Sequence, residues 1–178
     1  MNLFVRPFNE DGRTFIRTAT ASLLNTTYSV HIQPKLSRST SKAGKADAKQ
    51  AAPVKTVVQP RVFSHYVMNL PATAITFLPS FIGLYADLAN DTTQSKSELT
   101  QMPMVHVYCF STKSEDNKQQ EIEICKEISR QLELEGEDEI TPQTEDVTIF
   151  DVRDVAPKKR MFCASFRLPR EVAFRQRK

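Results

Sequence analysis

Residues 64–77, SHYVMNLPATAITF, open as a strand and close as a helix. The run HYVMNL is apolar enough for a buried strand over Phe63–Asn69. It ends in the polar Asn69, and Leu70-Pro71 then makes a stiff turn, because proline fixes its own φ and restricts the residue before it. Asn69 therefore stands at the carboxyl end of a strand, and ligands of open α/β sheets bind along that edge. Its carboxamide offers both a donor and an acceptor, which suffices to read the edge of a planar base. A second reading fits the same residues: Asn is a favoured helix cap, and a helix is expected directly after Pro71.

Outward from this segment, strand and helix patterns alternate. Upstream, Leu3–Phe8 is apolar enough for a short strand, and 9–13 (NEDGR) reads as a turn. Phe15, Ile16, Ala19, Leu23 and Leu24 then recur at helical spacing over Thr14–Leu24. Residues 34–60 differ in kind. Rich in Ser, Ala and Lys, and almost free of branched aliphatics before Val54, they are expected to form a disordered basic insertion. Downstream, a helix is expected over Ala72–Leu88 and a polar loop over Asn90–Met102. A strand over Val105–Ser111 (VHVYCFS) follows, then a helix over Asn117–Leu134 with Ile122, Cys125, Ile128 and Leu132 on one stripe. The acidic stretch 135–139 (EGEDE) reads as a solvated loop. Strands at Val147–Val155 and Met161–Leu168, joined by 156–159 (APKK), read as a β-hairpin. Parallel units with one antiparallel strand at an edge match a three-layer α/β sheet.

The 178 residues, 40% hydrophobic and 25% charged, suit one domain. No apolar run approaches the roughly 20 residues of a membrane span, and the amino end has no signal-peptide pattern. Cys109, Cys125 and Cys163 lie far apart, which points to reduced thiols and an intracellular setting. His31, His65 and His106 lack ligand spacing, so no metal is expected. The net charge of +3 hides an asymmetry. Residues 1–60 carry nine basic and three acidic side chains, 61–150 six and fifteen, and 151–178 nine and three. Basic ends around an acidic middle suggest a polyanionic partner at the terminal regions, although solubility tails have the same composition.

Four segments carry a resemblance: FNEDGRTFI at 8–16, HYVMNLPATAITFL at 65–78, PMVHVYCFS at 103–111 and VRDVAPKKRMFCASFRLP at 152–169. With them the chain resembles the carboxyl-terminal half of the methyltransferase domain of the tRNA (guanine-37) N1-methyltransferase family, in its eukaryotic, fungal form. The resemblance implies a partial Rossmann-like class I methyltransferase fold, α/β, with a mostly parallel sheet and a C-terminal antiparallel hairpin. It implies S-adenosyl-L-methionine as cofactor, tRNA as partner, and a monomer, with no membrane and no metal. Members work in the cytoplasm, nucleus and mitochondrial matrix.

By the same resemblance, Asp11 and Gly12 contact the adenine end of the cofactor, and Asn69 sits between its methionine end and the target guanine as the catalytic position. Physical chemistry agrees that an Asp accepts from an adenine amine and a Gly permits close approach, although an Asp-Gly turn needs no ligand. Leu70 and Pro71 are expected beside the base, with the Leu70 carbonyl open to its exocyclic amine. Arg153, Lys158 and Lys159, with Arg160, are expected near tRNA phosphates, or else make an ordinary charged turn. The family's Gly-rich cofactor loop, the acidic residue for the ribose, the pair handling the guanine N1 proton and the tRNA-docking domain would all lie before residue 1. A weakly active or inactive fragment is therefore expected, since N1-methylation needs a proton acceptor within reach. A non-catalytic RNA-binding fragment and a related wybutosine-pathway transferase remain alternatives.

Overall fold

In the computed structural model, which describes residues 5–26, 29–32, 55–58, 61–90 and 101–176, the first regular element is helix α1, Gly12–Leu24. Asp11 starts it. Its backbone is extended, and its carboxylate accepts from the Arg13 N–H at 3.0 Å, serving one of the donors a helix start leaves unpaired. Ile16, Thr20 and Leu23 form the buried stripe. Two short strands, β1 (Ser29–Ile32) and β2 (Lys55–Val58), pair antiparallel as a separate ribbon. Then come β3 (His65–Met68), β4 (Met104–Thr112), helix α2 (Lys118–Gln131), β5 (Thr148–Ala156), β6 (Lys159–Arg167) and the single-turn helix α3 (Arg170–Ala173).

The larger sheet runs in the order β3-β4-β6-β5. β3 is parallel to β4, and β6 is antiparallel to both β4 and β5. The expected hairpin is present, with Pro157 and Lys158 at its tip. The expected predominance of parallel pairing is absent from the described sheet, in which one of the three pairings is parallel. The antiparallel strand is interior, not at an edge. β6 can insert between β4 and β5 because an antiparallel neighbour needs only a tight turn to reach its place.

Alternation along the strands decides the layers. Tyr66 and Met68 of β3, Val105, Val107 and Cys109 of β4, and Phe162, Ala164 and Phe166 of β6 all point into one core. Leu78, Phe81, Tyr85, Ile124, Cys125 and Ile128 close that core from the helical side. The opposite face carries His65, Val67, His106, Cys163, Ser165 and Phe150, with Val67 66% and Phe150 64% exposed. Two layers are described where three were expected, because the helical segments packed into the core all cover the same face.

Three element boundaries also differ from expectation. Ala72–Leu88 is not one α-helix: it divides into 3-10 helices at Ala74–Phe81 and Ala86–Asn90. Pro79 lies inside the first, and Gly83 adopts a positive φ of 65° between them. A proline removes a helical donor and clashes with the preceding turn, so a continuous α-helix is not available there. Residues 5–8 form no strand; an isolated extended segment has no neighbour to take its backbone donors, and Leu3 and Phe4 lie outside the described residues. Of the expected insertion, Lys55–Val58 is β2, where Val57 and Val58 supply β-branched residues; 34–54 and 59–60 lie outside the described residues, as does most of the loop expected at 90–102.

Candidate active site at the carboxyl edge of the sheet

Buried polar contacts fix how α1 stands beside β3. The Tyr66 hydroxyl lies 2.8 Å from Thr20 Oγ1 and 3.4 Å from the Tyr85 hydroxyl. Burial raises the pKa of both tyrosines, so both remain protonated donors. Arg13 donates to Thr76 Oγ1 at 2.9 Å, and Arg17 Nε to the Ser80 carbonyl at 3.3 Å. The Arg13 guanidinium also covers the Phe77 ring, 4.3 Å from its centroid. Gly12 is consequently pressed against Phe77: a Cβ there would sit 2.8 Å from the ring.

Asn69 follows the last residue of β3 and is exposed. It caps nothing. The next helical segment has Thr73 at its start, and the Leu70 carbonyl takes the Thr73 and Ala74 N–H groups at 2.9 and 2.8 Å. The Asn69 carboxamide has no hydrogen-bond partner among the described residues. Of the two sequence readings of Asn69, the helix cap is excluded. The Leu70 carbonyl, expected to be open, is occupied by the turn itself.

The segment Asn69–Ala72 is a wall between two hollows. On the α1 side, Asn69 and Leu70 line a cavity of about 320 Å³ together with Gly12, Phe15, Met68 and Phe77. On the α2 side, Pro71 and Ala72 line a second cavity of about 380 Å³, with Phe110, Glu123, Glu127 and Lys159 opposite. Phe110, Ser111 and Lys159 continue it into an open groove of about 690 Å³ that reaches Pro157 and Lys158 at the hairpin tip. β3, β4 and β5 all end at this rim, and β6 begins there.

The residues singled out in the sequence thus separate into groups. Gly12 and Asn69 share one cavity; Pro71 and Lys159 share the other. Lys158 is at the groove's far end. Asp11 is next to the first cavity but is occupied with α1, its carboxylate on the Arg13 N–H and 3.7 Å from the Arg13 guanidinium. Lys159 Nζ stands 4.0 Å from the Phe110 ring centroid. Arg160, by contrast, is committed internally, to Asp151 at 2.7 Å, Asp154 at 2.8 Å and Asn117 Oδ1 at 3.2 Å. Lys113 also pairs with Asp154, and hydrogen bonds from Lys113 and Arg160 hold that carboxyl below its ordinary pKa. Arg153 is exposed on β5 and Lys158 on the tip, neither in an ion pair with a described residue.

Phe77, Phe110, Glu123 and Glu127 were not anticipated. The i, i+4 spacing of Glu123 and Glu127 on one helical face was a usable signal. Glu127 is held below the ordinary carboxylate pKa, first by its hydrogen bonds from Arg130, so it remains ionised. Burial pushes the Cys109 thiol up to about 12 and Cys125 up to about 11, which leaves both unreactive near neutral pH. Among the described residues no three His, Cys, Asp or Glu side chains cluster to hold a metal ion, and no helix is long and apolar enough to cross a membrane.

No family model matches the chain, and no solved structure does. Named relatives do. Over 179 residues, 97% of the chain, it is 54% identical to the tRNA (guanine(37)-N(1))-methyltransferase of Phaeosphaeria nodorum. It is 46% identical to the protein of the same name from Emericella nidulans over 98% of its length, and 44% identical to that of Neurospora crassa over 98%. The chain spans 39%, 37% and 35% of these three relatives. With identity of this order along nearly its whole length, the chain belongs to the tRNA (guanine(37)-N1)-methyltransferase family, corresponding to somewhat more than a third of the relatives it matches.

Proposed function

We propose that this chain forms the Asn69-bearing part of an enzyme that methylates guanine N1 at position 37 of tRNA, on a class I, Rossmann-like methyltransferase sheet. One observation carries the reading: an unpartnered carboxamide on a rigid wall at the carboxyl edge, with a hollow on either side. The Gly12–Asn69 cavity suits the adenine and sulfonium end of S-adenosyl-L-methionine, since Phe15 and Phe77 offer flat apolar surface and Asn69 a polar rim. That cofactor supplies an electrophilic methyl group. Asn69 positions the guanine edge and stabilises the charge that shifts as N1 is alkylated. Neutral guanine also loses a proton from N1; among the described residues no carboxylate lines the Gly12–Asn69 cavity, and in the facing hollow Glu127 is held by Arg130 and Glu123 by Gln119, so the acceptor is assigned to the portion of the longer protein outside this chain. Lys158 and Lys159 line the groove and Arg153 is exposed on β5; these cations meet tRNA phosphates, contacts that position the nucleic acid without reading its sequence.

The test is Asn69→Ala in a protein containing the whole methyltransferase domain. Loss of such a donor costs about 2.7–4 kcal/mol of barrier, roughly a hundred- to thousandfold in kcat. Cofactor affinity, measured by calorimetry, is expected to change little. Unaltered turnover would move the reacting centre away from this wall.

A further inference from the structure

The sheet register brings Phe110 and Lys159 together. In the antiparallel β4–β6 pair, Phe110 stands opposite Met161 and Thr112 opposite Lys159. Directly opposed residues share a face, as do positions two apart along a strand, so Phe110 and Lys159 are diagonal neighbours on one face. The ring is half-buried; the lysine is exposed, its ammonium 4.0 Å from the ring centroid. Both border the open groove of about 690 Å³ that reaches Pro157 and Lys158 at the hairpin tip, a volume within the range of ligand sites. The nearby cations differ in their commitments. Lys113 and Arg160 are neutralised by Asp151 and Asp154, whereas Lys158 and Lys159 have no ion-pair partner among the described residues. Ser111, which also lines the groove, leaves its hydroxyl without a hydrogen-bond partner among those residues.

We propose that this groove seats an unpaired RNA nucleotide flanking the target guanine, its base stacked on Phe110 and its phosphate on Lys158 and Lys159. The seat rests on the tRNA reading above and deepens it. A flat ring beside uncommitted cations is the combination that holds single-stranded nucleic acid: the ring takes the face of any base, and the cations take the backbone. In the free chain Lys159 occupies the ring face. An exposed cation–π contact is weaker than base–aromatic stacking, so an arriving base displaces the ammonium, which then pairs with a phosphate. Pro71 and Ala72, which follow Asn69 in the wall, share the adjoining hollow with Phe110 and Lys159; a strand passing Asn69 therefore continues over Pro71 into the groove. An acidic peptide would engage the lysines and leave the ring unused, and a duplex keeps its base faces stacked on one another.

A double-mutant cycle on the 178-residue chain tests the seat without reading methylation. The probes are two labelled single-stranded RNAs of one sequence with a central guanine, one of them abasic at both flanking nucleotides. Binding is followed by fluorescence anisotropy at about 50 mM salt. Phe110→Leu is expected to weaken the intact RNA about tenfold and to leave the abasic RNA unchanged, since both changes remove one contact. Phe110→Tyr keeps a flat ring and is expected to bind as the parent does, which separates stacking from packing; urea midpoints check that each variant folds. Lys158→Gln combined with Lys159→Gln is expected to reduce the salt slope by about 1.4, a slope that Phe110→Leu leaves unaltered. Equal binding of the two RNAs by the parent overturns the proposal, because the lysines then meet an anion and no base stacks. Losses that simply add overturn it as well, and so does failure to bind either RNA at that salt. The seat and the reaction fail separately: the cycle reads binding alone, whereas Asn69→Ala reads turnover in the longer enzyme.

Discussion

Gly12 carries a constraint that its one-residue motif conceals. An Asp-Gly pair before a helix ordinarily signals a cap and a turn, and Asp11 does cap α1. What needs glycine is the Phe77 ring, which a Cβ would meet at 2.8 Å. In Gly12→Ala, forcing that ring aside costs about 1–3 kcal/mol, while alanine returns up to about 1 kcal/mol of helix propensity. A net destabilisation of about 1 kcal/mol in urea unfolding is expected, and the displaced ring narrows the cavity it shares with Asn69. If that cavity holds the cofactor as proposed, then at the aligned position of the longer relatives S-adenosyl-L-methionine affinity falls further than stability does. A variant as stable as the parent, with unchanged affinity, would show that the contact relaxes freely. Close approach at Gly12 was legible in the sequence; its object, a side chain 65 residues away in the fold's other segment, was not, because glycine reports free space without naming the neighbour.

At the scale of elements, the β3–β4 pair carries a pH-sensitive contact. His65 Nδ1 is 2.9 Å from His106 Nε2, the rings stack, and His106 Nδ1 is 2.8 Å from Ser165 Oγ. Burial, and secondarily the neighbouring His65, lower the His106 pKa from 6.5. The fold therefore favours neutral imidazole, and the unfolded chain takes up the proton first. This contribution to stability is whole above about pH 6.5 and is lost as pH falls through and below that value. Glu127 and Asp154, with lowered pKa values, release theirs only at lower pH. Urea midpoints are expected to drop between about pH 8 and about pH 5.5, and His106→Gln should flatten the difference. An equal drop in the variant would place the sensitivity elsewhere. Periodicity made the bounds of α1, β4, α2 and the final hairpin legible to within a few residues, although the stripe expected on α2 is corrected at one position: Ile122 is 38% exposed and Ile124 is buried in its place, beside Cys125, Ile128 and Leu132. The segment after Pro71 was misread because its apolar content is helical while Pro79 and Gly83 forbid a continuous α-helix. Strand order was hidden as well, for a hairpin signal does not tell which neighbour its second strand will join.

For the whole molecule, the decisive property is how much of the proposed cofactor site the chain holds. The α1-side cavity of about 320 Å³ offers aromatic surface and the Asn69 carboxamide, and among the described residues no Asp, Glu, Lys or Arg lines it. S-Adenosyl-L-methionine presents a charged amino-acid end and two ribose hydroxyls besides its adenine. Unpaired, those polar groups lose hydration without replacement, at roughly 1–3 kcal/mol each. Two or three such losses remove several powers of ten from an affinity, at 1.4 kcal/mol per tenfold. The isolated chain is therefore expected to give no saturable heat in calorimetric titration up to about 100 μM cofactor, while the intact Phaeosphaeria nodorum relative saturates in the same range. Added adenosine should displace little, since the rings of Phe15 and Phe77 alone grip the base weakly. Micromolar affinity in the 178-residue chain would mean that the walls around Asn69 suffice, and the polar contacts assigned to the rest of the longer protein would then have to be found among the residues of this one.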